Sequence, residues 1–362
     1  MKVAIVTFAW SKNYGAALQA YALQSVLKGM DHDAFVVPIN PERRRGMLRQ
    51  FIGKGIRPTV RKIREWFLFR SFDAFRRAHY DFGGLQEGGY SHFIANCPQA
   101  DVFVVGSDQV WNLSVMQSPL EEDFYFLKMC PDSAKRVAYA ASWSMASISA
   151  DAAERLKPLL ERFSAISVRE KSGVGILARM GIEAKWMPDP TMLLASREWT
   201  ERLGIGILTA NRIFAYQLQW ESEHDCIGLA KRFGRTMHME VCAPYPSGNA
   251  FLSPTDWVRT LASSRFVVTN SFHGVVFSVL FHVPFAVSLI AGRFSGMNER
   301  VTTLLDRLGL ADRIIKSEDD VAALLASPIH WDEVDNQLAV WRNEAMEFLL
   351  RISRVEVEGG WN

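Results

Sequence analysis

The side chains of this chain best suited to chemistry are one histidine, a few arginines and several carboxylates, and each stands where an apolar run stops. His273 is the plainest case. Thr269, Asn270, Ser271, Phe272, His273 and Gly274 separate a strand-like run, residues 266–268, from a helix-like one, residues 275–280. A strand that passes through Asn and Ser into a helix leaves free backbone N–H groups and a positive dipole end at the first helical turn, which suits an anion. An imidazole exchanges protons near neutral pH and suits acid or base work. The competing expectation is a core histidine that bonds only its own turn.

Other polar groups fall at equivalent places. Asn13, Tyr14 and Gly15 lie beyond the carboxyl end of a first strand, residues 3–8. Gly106, Ser107, Asp108 and Gln109, with Trp111 and Asn112 close behind, follow a strand at 101–105; Ser142 follows one at 136–141, Arg169 one at 165–168, and Asp189 one at 185–187. In an open parallel sheet such ends share one edge, and ligands collect there. Taken singly, Asp108 and Asp189 also fit turn caps and Arg169 also fits a partner for Glu170; their shared position singles the set out. Arg293, Ser295, Asn298 and Arg300 lie in and just after a Gly-containing loop, 291–298, and offer a second anion contact, with ordinary capping as the alternative.

The elements that must hold these residues alternate between strand and helix. After the first strand come a helix at 16–28 and a strand at 36–39, then the regular series from residue 100, with a helix at 170–180. Periodicity weakens around 195–206, and the domain crossing is placed there. A second series follows: strand 213–217, helix 221–233, strand 236–241, loop 244–248, helix 254–262, the His273 stretch, strand 285–290 and helix 299–308. Ile314 and Ile315 end the regular part, and a last helix, 332–351, is long enough to cross back. The expected organisation is therefore α/β, with an N-terminal domain at 1–195, a C-terminal domain at 196–330, a returning helix within 331–362, and a site in the cleft between the domains.

Composition excludes several classes. About half of the 362 residues are apolar and 22% are charged, as in folded globular chains. No GxGxxG, Walker loop or GxSxG elbow occurs. The four cysteines show no CxxC spacing, so no zinc site or disulfide framework is expected and a reducing cytoplasm fits. The N-terminal apolar run is too short for a signal peptide, and the run at 275–291 is broken by His282 and Pro284, so a soluble protein is expected. Charge is uneven: residues 42–77 hold twelve Arg or Lys against three acids, interleaved with Trp66, Phe67, Phe69, Phe72 and Phe75. A surface helix with its aromatics in the core is the main expectation for this segment. Contact with an anionic membrane is the second, and nucleic acid is not expected.

Several motifs together resemble the polysaccharide pyruvyl transferase family. They are the run from Asn13 to Leu23, Val-Gly-Ser-Asp-Gln-Val-Trp-Asn at 105–112, Tyr-Ala-Ala-Ser at 139–142, Ser-Val-Arg-Glu-Lys-Ser at 167–172, Asp-Pro-Thr-Met-Leu-Leu at 189–194, Thr-Asn-Ser-Phe-His-Gly at 269–274 and Ser-Gly-Met-Asn-Glu-Arg at 295–300. They run in order through about 300 residues. The resemblance implies a GT-B-like fold, two Rossmann-like domains facing a cleft. It also implies transfer of a pyruvyl group from phosphoenolpyruvate to two sugar hydroxyls as a ketal, in surface or exopolysaccharide biosynthesis, with no cofactor beyond that donor. On this resemblance His273 is the acid or base and Arg169 clamps the donor. Arg300, Asn298, Ser295, Arg293, Asn270 and Ser271 line the donor side, and Asp108, Asn112, Asn13, Tyr14 and Ser142 the acceptor side. Relatives often carry an Arg where this chain has Ser271, so the donor cation is expected from Arg293 or Arg300. The implied partners are phosphoenolpyruvate and a sugar or lipid-linked glycan, in the cytoplasm, with peripheral membrane contact through 42–77 as a further expectation. Two other readings share this architecture or surface: a glycosyltransferase using a nucleotide sugar, and a catalytically silent glycan-binding protein.

Overall fold

A computed structural model describes residues 1–40, 60–218 and 221–352. Among the described residues, ten strands form two sheets. β1 (Lys2–Val6), β2 (Asp33–Val36), β3 (Val102–Val105), β4 (Lys135–Ala141), β5 (Ala165–Val168) and β6 (Lys185–Trp186) make the first, in the order β2-β1-β3-β4-β5-β6. β7 (Ala210–Tyr216), β8 (Glu240–Cys242), β9 (Ser264–Thr269) and β10 (Phe285–Val287) make the second, in the order β10-β9-β7-β8. Every pairing is parallel. Parallel strands covered on both faces read as continuous apolar runs, and β3, Val-Phe-Val-Val, is buried at each residue.

The helices are α1 (Tyr14–Gly29), α2 (Val60–His79), α3 (Tyr90–Ala95), α4 (Pro119–Tyr125), α5 (Ala150–Leu160), α6 (Lys171–Arg179), α7 (Ser196–Leu203), α8 (Cys226–Thr236), α9 (Pro254–Ala262), α10 (Phe272–Leu280), α11 (Glu299–Arg307), α12 (Asp320–Ala326) and α13 (Trp331–Ile352). Several begin at a side chain that accepts a backbone N–H: Asn13 for α1, Ser118 for α4, Ser149 for α5, Asp225 for α8, Ser253 for α9 and Ser271 for α10.

The structure corrects the sequence reading in several places. The strand expected at 36–39 lies at Asp33–Val36, the one expected at 236–241 at Glu240–Cys242, and the one expected at 285–290 ends at Val287. β1 stops at Val6, two residues early. Residues 195–206 hold α7, whose start is fixed by the Ala195 N–H donating to Glu198 Oε2 (2.9 Å) and whose Trp199 is fully buried. The helix expected from Glu221 begins at Cys226, because Glu221 O and Glu223 N bond to Ala291 N and Leu289 O beyond β10. Helical structure also continues past Ile315 as α12. Of the basic segment, residues 42–59 lie outside the described residues.

The sheets meet at their carboxyl ends and share one apolar cluster, which runs from Val3 and Tyr14 to Trp257, Phe277 and Leu349. Tyr14 of α1 stacks on Trp257 of α9 with ring centroids 5.5 Å apart, and Trp199 touches both Tyr21 (5.9 Å) and Phe277 (5.1 Å). α13 returns to the first sheet, where Trp341 Nε1 donates to Trp186 O (3.2 Å) and Arg342 Nε to Met192 O (2.9 Å).

Candidate active site

At the carboxyl edge of the first sheet, Asp189 is the point on which other groups converge. Its side chain is fully buried. Oδ2 accepts from Arg169 Nη1 (2.7 Å), lies 3.0 Å from Ser107 Oγ and is 3.7 Å from His273 Nε2. Oδ1 accepts from the Thr191 N–H (3.0 Å) and hydroxyl (2.7 Å). Burial alone would raise this carboxyl. The adjacent imidazole, the guanidinium and the Thr191 N–H outweigh it and hold Asp189 well below the usual carboxylate range. Ser107 is itself fixed, its N–H donating to Gln19 Oε1 (3.1 Å) while Gln19 Nε2 donates to Thr7 Oγ1 (2.8 Å).

Arg169 reaches further than Asp189. Its Nη2 is 3.9 Å from Asp108 Oδ1, and its guanidinium lies over the Phe272 ring at 4.8 Å. Arg300, in the first turn of α11, approaches the same ring at 5.8 Å. Arg300 is buried, and burial together with the nearby Arg169 charge pushes its guanidinium down to about 10. Beside these cations sits Glu170, whose Oε1 accepts from Ser144 N (2.6 Å) and Ser142 Oγ (3.0 Å). Burial raises its carboxyl despite the two arginines.

His273 arrives from the second sheet. β9 ends at Thr269, whose hydroxyl donates to Tyr216 O (2.6 Å) and accepts from Ser271 N (3.0 Å); Ser271 Oγ then caps α10 by accepting from Gly274 N (3.4 Å). The His273 ring abuts Gly15 so closely that any Cβ there would overlap it. Four buried polar atoms of the cluster have no hydrogen-bond partner: Arg169 Nε and Nη2, Glu170 Oε2 and His273 Nε2. Leaving such groups unpaired costs about 1–3 kcal/mol each, and a polar ligand at this strand edge would supply the missing partners.

The residues singled out from sequence separate into two groups. Arg169, His273, Arg300 and Asp108 converge, with Ser142 and Ser271 immediately behind them. The rest are placed otherwise. Tyr14 is core, its hydroxyl donating to Leu252 O (3.0 Å). Asn13 caps α1 and Asn112 bonds Gln109 and Ser114. Asn270 Oδ1 accepts from Leu218 N (2.7 Å). Asn298 pins its loop through both Ile290 N (2.8 Å) and Ile290 O (2.9 Å). Ser295 and Arg293 are exposed, Arg293 lying over Phe294 at 4.4 Å. Ser107, Gln19, Thr191 and Glu170 lie within the motifs at 105–112, 13–23, 189–194 and 167–172 but are not among the expected site residues; their part in the cluster shows only in their contacts.

Two all-parallel sheets meeting at their carboxyl edges, with charged side chains from both at the junction, define an α/β fold of the GT-B type. The family model for polysaccharide pyruvyl transferase matches residues 13–288, and the chain belongs to that family, a family of transferases. Among solved structures, UDP-GlcNAc 2-epimerase from Neisseria meningitidis bound to UDP-GlcNAc is similar in fold, with 9% identity, a TM-score of 0.50, and 97% of this chain and 99% of that one covered. The glycotransferase of kitacinnamycin follows at 13% identity and TM-score 0.47, covering 97% and 98%. The spinosyn rhamnosyltransferase SpnG is 11% identical, with TM-score 0.43 and coverage of 98% and 100%. No curated protein matches the sequence.

Proposed function

We propose that this protein transfers the pyruvyl group of phosphoenolpyruvate to two hydroxyls of a sugar, forming a pyruvate ketal in surface polysaccharide synthesis. The observation that carries this is the meeting of Arg169 and His273 on Asp189, with Arg300 across the Phe272 ring. In the reaction, the donor methylene carbon gains a proton and becomes a methyl group. Two acceptor oxygens bond to the adjacent carbon and each loses its proton, one matching the proton gained by the methylene carbon and the other taken up by the phosphate, whose bond to that carbon breaks. The products are a ketal and phosphate.

The geometry supports a division of labour. Arg169 and Arg300 are two buried cations suited to the donor carboxylate and phosphate, and the burial of Arg300 beside Phe272 favours it over the exposed Arg293 as the second donor cation. His273 delivers or accepts the proton, held by Gly15 and Asp189. Asp108, whose Oδ1 is 3.9 Å from Arg169 Nη2, is suited to accept from an acceptor hydroxyl.

Purified protein supplied with phosphoenolpyruvate and a panel of hexose-terminated acceptors should release phosphate and add the mass of a pyruvate ketal. His273→Ala should lower turnover by on the order of 10²–10⁴-fold with the fold intact. Absence of product with every acceptor, or glycosyl transfer from a nucleotide sugar instead, would overturn the proposal.

A further inference from the structure

The outer face of α2 is unlike the rest of the described surface. Ile63, Trp66 and Phe67 are 45%, 44% and 60% exposed, while Leu68, Phe72 and Phe75 on the opposite face are buried in the shared core. The exposed aromatics touch each other edge to face at 4.9 Å, and the Arg70 guanidinium covers the Trp66 ring at 4.6 Å. On the inner shoulder of the patch, Lys12 lies over Phe69 at 4.1 Å. The helix sequence carries six Arg or Lys against two acids, and one of those acids, Asp73, is already paired with Arg76 (2.7 Å). Arg64, Arg70 and Arg77 are exposed.

The position of the patch is as informative as its composition. α2 runs parallel to α1: Phe72 lies beside Tyr14 (5.1 Å) and His79 beside Gln24. Arg76 fastens it there by donating to Trp10 O (2.7 Å) and Ser11 O (2.8 Å) in the loop after β1. Phe72 is thus level with the start of α1. At 1.5 Å per residue, Phe67 and Ile63 lie roughly 8 and 13 Å beyond it, past the strand edge at which Gly15 and His273 stand. An apolar, aromatic and cationic face thus extends past the start of α1, on the side of the strand edge that carries the site.

We infer that this face docks on an anionic lipid bilayer, with Trp66, Phe67 and Ile63 entering the interface and Arg64 and Arg70 meeting lipid headgroups. Trp and Phe flanked by Arg and Lys is the composition that settles at a membrane surface, the rings at the acyl boundary and the cations among the phosphates. Docked in this way, α2 lies along the interface and keeps the strand edge carrying His273 close to the bilayer, where an acceptor carried on a lipid would be found. That last consequence rests on the transferase reading; the docking itself does not.

The test is co-sedimentation of the full chain with vesicles of phosphatidylcholine alone and with phosphatidylglycerol mixed in, without donor or acceptor. Its outcome is therefore independent of whether pyruvyl transfer is the activity. Binding is expected only to the anionic vesicles and should weaken as salt is raised. Trp66→Ser with Phe67→Ser should lower the partition coefficient by roughly tenfold or more, and Arg64→Gln or Arg70→Gln by roughly fivefold each, while turnover of a water-soluble acceptor is unchanged. A wild-type chain that stays in the supernatant with anionic vesicles overturns the inference. So does a Trp66→Ser, Phe67→Ser variant that binds as wild type, a patch-dependent dimer in sedimentation velocity without vesicle binding, or binding of a single-stranded oligonucleotide in place of vesicles.

Discussion

Asp189 carries its charge inside the protein because a guanidinium, an imidazole and two Thr191 donors surround it, and the carboxylate in turn fixes the groups proposed to do the chemistry. Removing the charge leaves Arg169 buried with less compensation. Asp189→Asn is expected to cost about 3–5 kcal/mol of stability at neutral pH, measured by urea denaturation, and to lower turnover by loosening both Arg169 and His273. The sign with pH follows from the direction of the shift. The folded-state carboxyl titrates below its ordinary 3.8, so its contribution is present above that value and lost as pH falls through the depressed one. The deficit of the variant should be full at neutral pH and shrink only in strong acid. Glu170 behaves oppositely. Its folded-state value lies above the ordinary 4.5, so its contribution is full below that pH and is lost as pH rises through the raised value. Glu170→Gln, which keeps an acceptor for the Ser144 N–H, should therefore gain thermal stability relative to wild type as pH rises above 4.5. A difference in melting temperature that does not change with pH would contradict this.

At the scale of elements, the site depends on how α1 and α10 approach each other. α10 is nine residues long and starts at a capped turn, so the direction of His273 is set within its first turn. The opposing surface is Gly15, in the first turn of α1, and only a residue without a Cβ leaves the imidazole its place. Gly15→Ala should displace the ring and reduce kcat by on the order of 10²-fold, since small misplacements of a catalytic group are costly. Circular dichroism should be unchanged, and restored activity on adding a second, space-making substitution is not required for the test: a variant with native kcat suffices to refute the packing argument. The ends of β3, β4 and β5 and the bounds of α9 are legible in local sequence, because apolar runs, Ser253 and Pro254 are short-range signals. α7 and the start of α8 are not legible in this way. There the register is set by Trp199 entering the core and by Glu221 and Glu223 bonding to the chain beyond β10, which no local pattern announces.

The whole molecule is held as one body by the apolar cluster that passes between the sheets. Interfaces between domains ordinarily permit relative motion unless they are large and hydrophobic, and this one places Tyr14, Trp199, Trp257 and Phe277 at its centre. Calorimetry should accordingly show a single unfolding transition, and Trp257→Ala should lower stability by about 3–5 kcal/mol; two separated transitions would show independent domains. The sequence by itself determined the α/β alternation, the polar character of the strand ends and the family, because these reside in local hydrophobic patterning and in short motifs read in order. Only the tertiary structure decided which polar residues work together. Arg293 and Arg300 are seven positions apart in neighbouring turns, yet Asn298 pins the loop so that one is exposed and the other is buried beside Phe272. Asp189, Arg169 and His273 come from different elements and two sheets, and their contact depends on parallel strand ends being brought level and on the second sheet docking through the shared core, both of them long-range events.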